Sequence, residues 1–221
     1  MDHAQDADQQ YVRGNIDNRG PCPAMNALAN HGYLPRDGKN LTIPQVKEAL
    51  KEALSMTPAL AALTSRQLHK IVRPDGTFYL TDLRQHGVIE HDRSLTRLDY
   101  RQGDNYSLQP AMLHALLDDA RGSSLTVKSL AQSYNRRAKE HRESGGDRLT
   151  VEMWFVNLIQ TVSFFNVAQS GGLLSKEAVE AFYGEERLPG EVLSNKRRRT
   201  LPGLFTNVLK LLYHIYMGGR S

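Results

Sequence analysis

The chain has 221 residues, 40% of them apolar and 24% charged, with a formal net charge of +4. That length carries one large domain or two small ones, with room for a single core. One cysteine excludes an internal disulfide, and so modest a positive charge gives no reason to expect a nucleic-acid partner.

The first eight residues are polar and acidic. They lack the positive start and apolar stretch of a signal peptide, so an intracellular location is expected unless the chain is a mature secreted form. A poorly ordered tail is expected over about residues 1–15. Pro21 and Pro23 then flank Cys22. Pro23 suits the first position of a helix, where its missing N–H costs nothing, and Gly32 closes that helix after His31. Cys22 therefore lies at a helix N-terminus, where free N–H groups and the positive end of the dipole favour a thiolate. Such a thiolate serves as a nucleophile or a metal ligand; an inert buried thiol is the alternative on composition alone.

Ile43, Val46, Leu50 and Leu54 predict a second helix after Thr42, and Leu60, Leu63, Leu68 and Ile71 a third after Thr57. Pro74-Asp75-Gly76 is a turn, and Thr77–Leu80 reads as a short strand. A short helix is expected from Thr81 to His86, stopped by Gly87, and Ser94 is placed to cap another. Further helices are predicted from Pro110 to Ala120, from Thr126 to Gly145, from Thr150 through Phe165, and from Ser175 through Phe182. The basic run Lys196-Arg197-Arg198-Arg199 reads as a solvated loop. Leu204–Met217, with Lys210 and His214 inside it, is too short to span a membrane and reads as an amphipathic helix. No repeat or long linker interrupts the pattern. One all-α domain over residues 1–221 is expected.

Three strings carry more than secondary structure. PCPAMNALANHGYLPRDGKN, from Pro21 to Asn40, resembles the haem-thiolate peroxidases, the fungal group of chloroperoxidases and unspecific peroxygenases. Glu90-His91-Asp92-Arg93-Ser94 resembles the group's second motif, at the separation found in its short branch. Phe182-Tyr183-Gly184-Glu185-Glu186-Arg187-Leu188-Pro189 is similar to its C-terminal F-x-x-E-R-L-P pattern.

The resemblance implies a mostly helical fold enclosing one haem b, with Cys22 as the axial iron ligand. N–H groups of Met25 and Asn26 are then expected on the sulfur. It implies a Mg²⁺ ion held by Glu90, Ser94 and the backbone oxygen of His91, with Asp92 supporting the loop. It also implies hydrogen peroxide as oxidant and a small organic substrate, aromatic or apolar; with no leader pattern at the start of the chain, an intracellular role in fungal-type secondary metabolism is expected. The group's distal glutamate falls on Gln160, which cannot take up a proton. His91 is left as the expected acid–base, and Gln160 as a residue that orients.

Phe155, Phe164 and Phe165 are candidates for the substrate pocket. Phe164 and Phe165 cannot share a helix face, so one of the two is expected in the core. Asn26, His31 and Arg36 are expected to satisfy backbone groups around the first helix. His69, His86, His114, His141 and His214 show no metal-ligand spacing, and Tyr11 and Tyr33 carry no assignable role. A haem-binding protein of the same fold with weak or lost catalysis is the alternative, followed by a haem-free helical interaction module.

Overall fold

The computed structural model describes residues 9–195 and 197–217. Helices make up nearly all of its regular structure. They are α1 Pro23–Asn30, α2 Ile43–Leu54, α3 Pro58–Thr64, α4 Pro110–Asp118, α5 Val127–Glu143, α6 Val151–Ala168, α7 Lys176–Val179, α8 Gly190–Ser194 and α9 Leu201–Met217. Two two-residue strands, β1 Ser124–Leu125 and β2 Leu174–Ser175, form one antiparallel pair. The all-α expectation holds.

The starts of the helices follow from their caps. Thr42, Thr126, Thr150 and Ser175 each accept a backbone N–H from the residue three positions on, at the heads of α2, α5, α6 and α7. Pro23, Pro44, Pro58 and Pro110 occupy first-turn positions that need no donor. α9 lies across α5 and α6, burying Leu204, Val208 and Leu211. Leu158 and Val162 of α6 and Leu28 of α1 are fully enclosed in the core. No helix among the described residues is long and apolar enough to cross a membrane.

Several expected elements differ. The third helix does not reach Ile71. Thr64 and Ser65 turn their hydroxyls back onto the carbonyls of Leu60 and Ala61, α3 ends, and Arg66–Lys70 continues as a 3₁₀ turn. The Thr77–Leu80 strand reduces to one antiparallel bridge, Leu41 with Phe78. The expected Thr81–His86 helix is a 3₁₀ segment, Leu80–Arg84. Ser94 caps nothing, because residues 95–99 run on without helix.

The tail and the basic run are only partly described. Residues 1–8 lie outside the described residues; from Gln9 onward the chain is fastened to the body. Val12 N–H donates to Asn30 O at 2.8 Å, and the Tyr11 hydroxyl donates to Glu185 O at 2.7 Å. In the basic run, Lys196 lies outside the described residues and Arg197 and Arg198 are exposed. Arg199 departs from the solvated reading: it is buried and exchanges backbone hydrogen bonds with Ser55 and Thr57.

Candidate active site

A cavity of about 1000 Å³ lies between α1, α2, the Arg66–Lys70 turn and α6. It stands at the upper end of the roughly 300–1,000 Å³ typical of small-molecule sites. Cys22, His91, Gln160, Phe155 and Phe164 all line it, and its wall is mostly apolar.

Cys22 is the N-cap of α1, in extended conformation (φ −87°, ψ 106°). Burial pushes its thiol above the ordinary range. The backbone N–H groups of Met25 and Ala24 and the nearby Arg97 guanidinium act in the other direction, though the Cys22 side chain makes no capping hydrogen bond to α1. The N–H of Asn26, expected on the sulfur, donates to Cys22 O at 3.1 Å.

The helix bearing Cys22 is tied to the C-terminal motif. Asn26 Nδ2 donates to Glu186 Oε1 at 2.7 Å and to Gly20 O at 2.8 Å. Asn30 Nδ2 donates to Glu186 O at 3.0 Å, and Leu188 N–H donates to His31 Nε2 at 3.1 Å. Arg36 donates to Asn30 O at 2.7 Å. The first and third motif strings, distant in sequence, thus meet around one short helix. Gly20 must lack a side chain here, since a Cβ would meet Leu80 O at 2.4 Å.

Arg97 completes this support and had no sequence signal. It is 1% exposed and sits 3.3 Å from Glu186 Oε1. Its burial lowers its pKa, and Glu186 opposes that shift. Removing Glu186 leaves a buried cation unpaired, which costs about 3–5 kcal/mol. Glu186→Ala is therefore expected to lower the thermal midpoint by roughly 6–20 °C, measured by circular dichroism. A shift within a degree or two would show that the pair does not hold this region.

The α7 helix continues as a π-helical turn, Glu180–Gly184, of the kind often found at functional sites. It brings Phe182 and Tyr183 to the cavity. Phe182 stacks on Phe164 at 3.8 Å between ring centroids. Burial pushes the Tyr183 phenol up to about 12, with Arg97 pulling against it and Cys22 reinforcing it.

His91 and Gln160 are brought together from opposite parts of the chain. His91 Nε2 lies 2.8 Å from Gln160 Oε1, and His91 Nδ1 lies 2.7 Å from Asp92 O. A carbonyl only accepts, so Nδ1 carries a proton. A neutral ring then offers Nε2 as an acceptor, and the Gln160 amide meets it by presenting its NH₂. A charged ring donates from Nε2, and the same amide meets it with its oxygen. The amide serves both states by turning over.

Beside this pair, a small recess of about 30 Å³ is lined by Cys22, Glu90, His91, Ser94, Asn105 and Gln160. Glu90 is buried, and burial raises its carboxyl against the lowering influence of His86. His86 Nδ1 sits 2.7 Å from Glu90 Oε2, and its ring stacks on Tyr100 at 4.3 Å. With Asp92 these two form a cluster of ligand-type atoms within 4.8 Å of one another. His86, expected as a surface or core residue without metal-ligand spacing, thus stands beside Glu90, four positions on. Asp92 Oδ1 accepts Tyr100 N–H at 2.8 Å and so steadies the loop.

The phenylalanines divide. Phe155 is 53% exposed at the cavity wall, and Phe164 faces inward beside Phe182. Phe165 is packed in the core at 3% exposure and does not line the cavity, because adjacent helical residues point about 100° apart. Glu152, two turns before Gln160, is exposed and held by Lys70 Nζ at 2.6 Å.

The family model for peroxidase, family 2, matches residues 9–200. The chain is 34% identical over 97 residues to a chloroperoxidase of Leptoxyphium fumago, covering 41% of this chain and 26% of that protein. It is 26% identical over 208 residues to an aromatic peroxygenase of Coprinellus radians, covering 81% of this chain and 79% of that protein. It is 29% identical over 128 residues to a dothistromin biosynthesis peroxidase of Dothistroma septosporum, covering 48% of this chain and 30% of that protein. The match thus spans less than a third of the length of two of these relatives. Since the model spans almost the whole described chain, the protein belongs to peroxidase family 2, the haem-thiolate peroxidases that include chloroperoxidase.

Proposed function

We propose that the protein is a haem-thiolate peroxidase or peroxygenase that uses hydrogen peroxide to oxidise or oxygenate a small apolar or aromatic molecule. The carrying observation is that Cys22, at the N-terminus of α1, lines the same cavity as the His91–Gln160 pair. The names of the relatives support an oxidoreductase, and the dothistromin relative supports a place in secondary metabolism.

The residues present fit a haem. The cavity is large and mostly apolar, and it offers one thiol. In the recess, Asn105 is 7% exposed and its Nδ2 has no hydrogen-bond partner among the described residues. A buried donor left unpaired costs roughly 1–3 kcal/mol, and a carboxylate relieves that cost. Haem carries two carboxylates. Cys22 would hold the iron, and the thiolate-bound haem would supply the cleavage of the peroxide O–O bond.

The chain's own residues do the rest. His91, with Nδ1–H committed to Asp92 O, presents Nε2 as the one group of the distal pair that takes and returns a proton. Gln160 holds that ring and orients the peroxide. Glu90, Ser94 and the His91 carbonyl, which meet at the recess, would hold Mg²⁺ through hard oxygen atoms, and its charge would offset the burial of the Glu90 carboxylate. Phe155 and Phe164 bound the substrate space.

Absorption of the purified protein, with and without peroxide, tests this reading. A thiolate-type spectrum and turnover of a phenolic dye support it; a protein that stays colourless after hemin is offered overturns it. Gln160 in place of a carboxylate favours a second reading, a haem protein with weak catalysis, which predicts the spectrum without the turnover.

The Asn105 assignment has its own test. Asn105→Leu keeps the volume and removes the unpaired donor. The haem-free variant should be as stable as the parent or more so, while haem should transfer to an apomyoglobin acceptor roughly tenfold faster. An unchanged transfer rate would remove Asn105 from the haem site.

A further inference from the structure

We propose that the outer end of the cavity binds the carboxylate of an apolar acid, with Arg66 as its receptor; this rests on reading the cavity as the substrate site. The 3₁₀ turn Arg66–Lys70 forms part of the cavity wall and brings Arg66, His69 and Lys70 to it. Facing them is one acid, Glu152, from the first turn of α6.

That acid is already taken. Lys70 Nζ lies 2.6 Å from its Oε1, and Gln67 Nε2 donates to the same oxygen at 2.9 Å. Arg66 is exposed and makes no hydrogen bond or ion pair among the described residues; it attracts Glu152 through space, as the smallest of the influences on that carboxyl. A surface arginine is ordinarily solvated and needs no ligand. This one stands at the edge of a large apolar space, and its guanidinium matches a carboxylate with two parallel N–H donors.

The apolar wall behind it supplies the other half of the recognition. Leu63, Phe155, Val156 and Ile159 lead inward toward Gln160. Glu152 and Gln160 share one helix, eight residues or roughly 12 Å apart along its axis. Arg66 lies near enough to Glu152 to act on its carboxyl, so a molecule with its anionic end at Arg66 and an apolar body of about that length reaches the His91–Gln160 pair. An uncharged hydrocarbon of the same length gains the apolar contacts alone. The pocket is thereby biased toward acids over their esters.

Calorimetric titration of the purified protein with decanoate and with methyl decanoate tests this without requiring turnover. The quantity read is the ratio of the acid's Kd to the ester's. Arg66→Gln should raise that ratio about fivefold, the size expected of a partly solvated charge-assisted contact, and Arg66→Lys should restore part of it. Glu152→Gln should lower the ratio, because it removes the competing carboxylate and frees Lys70. A ratio unmoved by Arg66→Gln overturns the proposal. Shifts as expected in a protein that shows no peroxide turnover uphold the acid site and overturn the catalytic reading alone.

Discussion

Cys22→Ala is expected to abolish thiolate ligation while leaving the fold in place. The chain has one cysteine, so no second sulfur of that kind can substitute. The ferrous–CO spectrum should lose the long-wavelength band that thiolate ligation gives, and peroxide turnover should fall to background. The fold should survive because α1 does not depend on the sulfur. Asn26, Asn30 and His31 tie that helix to Glu186 and Leu188 through their own side chains. The thermal midpoint of the haem-free variant should therefore match that of the haem-free parent within a few degrees. Glu186→Ala gives the opposite pattern, a large loss of stability with Cys22 still present. A Cys22→Ala protein with the parent's CO spectrum would remove the sulfur from the iron.

The helical frame was legible because its signals are local. A capping threonine or serine, a first-turn proline and an apolar stripe each act within a few residues. Where the sequence misled, the cause was again local but read at the wrong range. Leu68 and Ile71 continue the period of α3, yet the hydroxyls of Thr64 and Ser65 end it first. The site was legible through the motif strings and through the helix that carries Gln160, Phe155 and Phe164, and not beyond them. Arg97 stands outside all three strings and contacts Glu186 across 89 positions; no spacing announces such a pair. Arg66 and Asn105 are ordinary in sequence, and their interest comes from lining a cavity that the fold alone creates. The Phe164–Phe165 choice needed only the direction of α6 relative to the cavity, which neighbouring residues cannot supply.

His91→Ala should lower peroxide turnover by about 10² to 10⁴, the usual contribution of a positioned acid–base, with the haem spectrum retained. The argument is one of elimination within the distal pair. Gln160 touches His91 at 2.8 Å but has no titratable proton, and Glu152 lies two helical turns away, committed to Lys70 and Gln67. Gln160→Glu should act in the other direction. A carboxylate at the same reach adds a second proton carrier and favours the charged form of the neighbouring ring, so turnover should rise. The double variant, His91→Ala with Gln160→Glu, separates two ways in which that gain can arise. If the new carboxylate moves protons itself, the double variant recovers much of what His91→Ala loses. If it works only by charging the imidazole, the double variant stays as slow as His91→Ala. Turnover of His91→Ala equal to the parent's would show instead that the proton travels by a route that avoids this histidine.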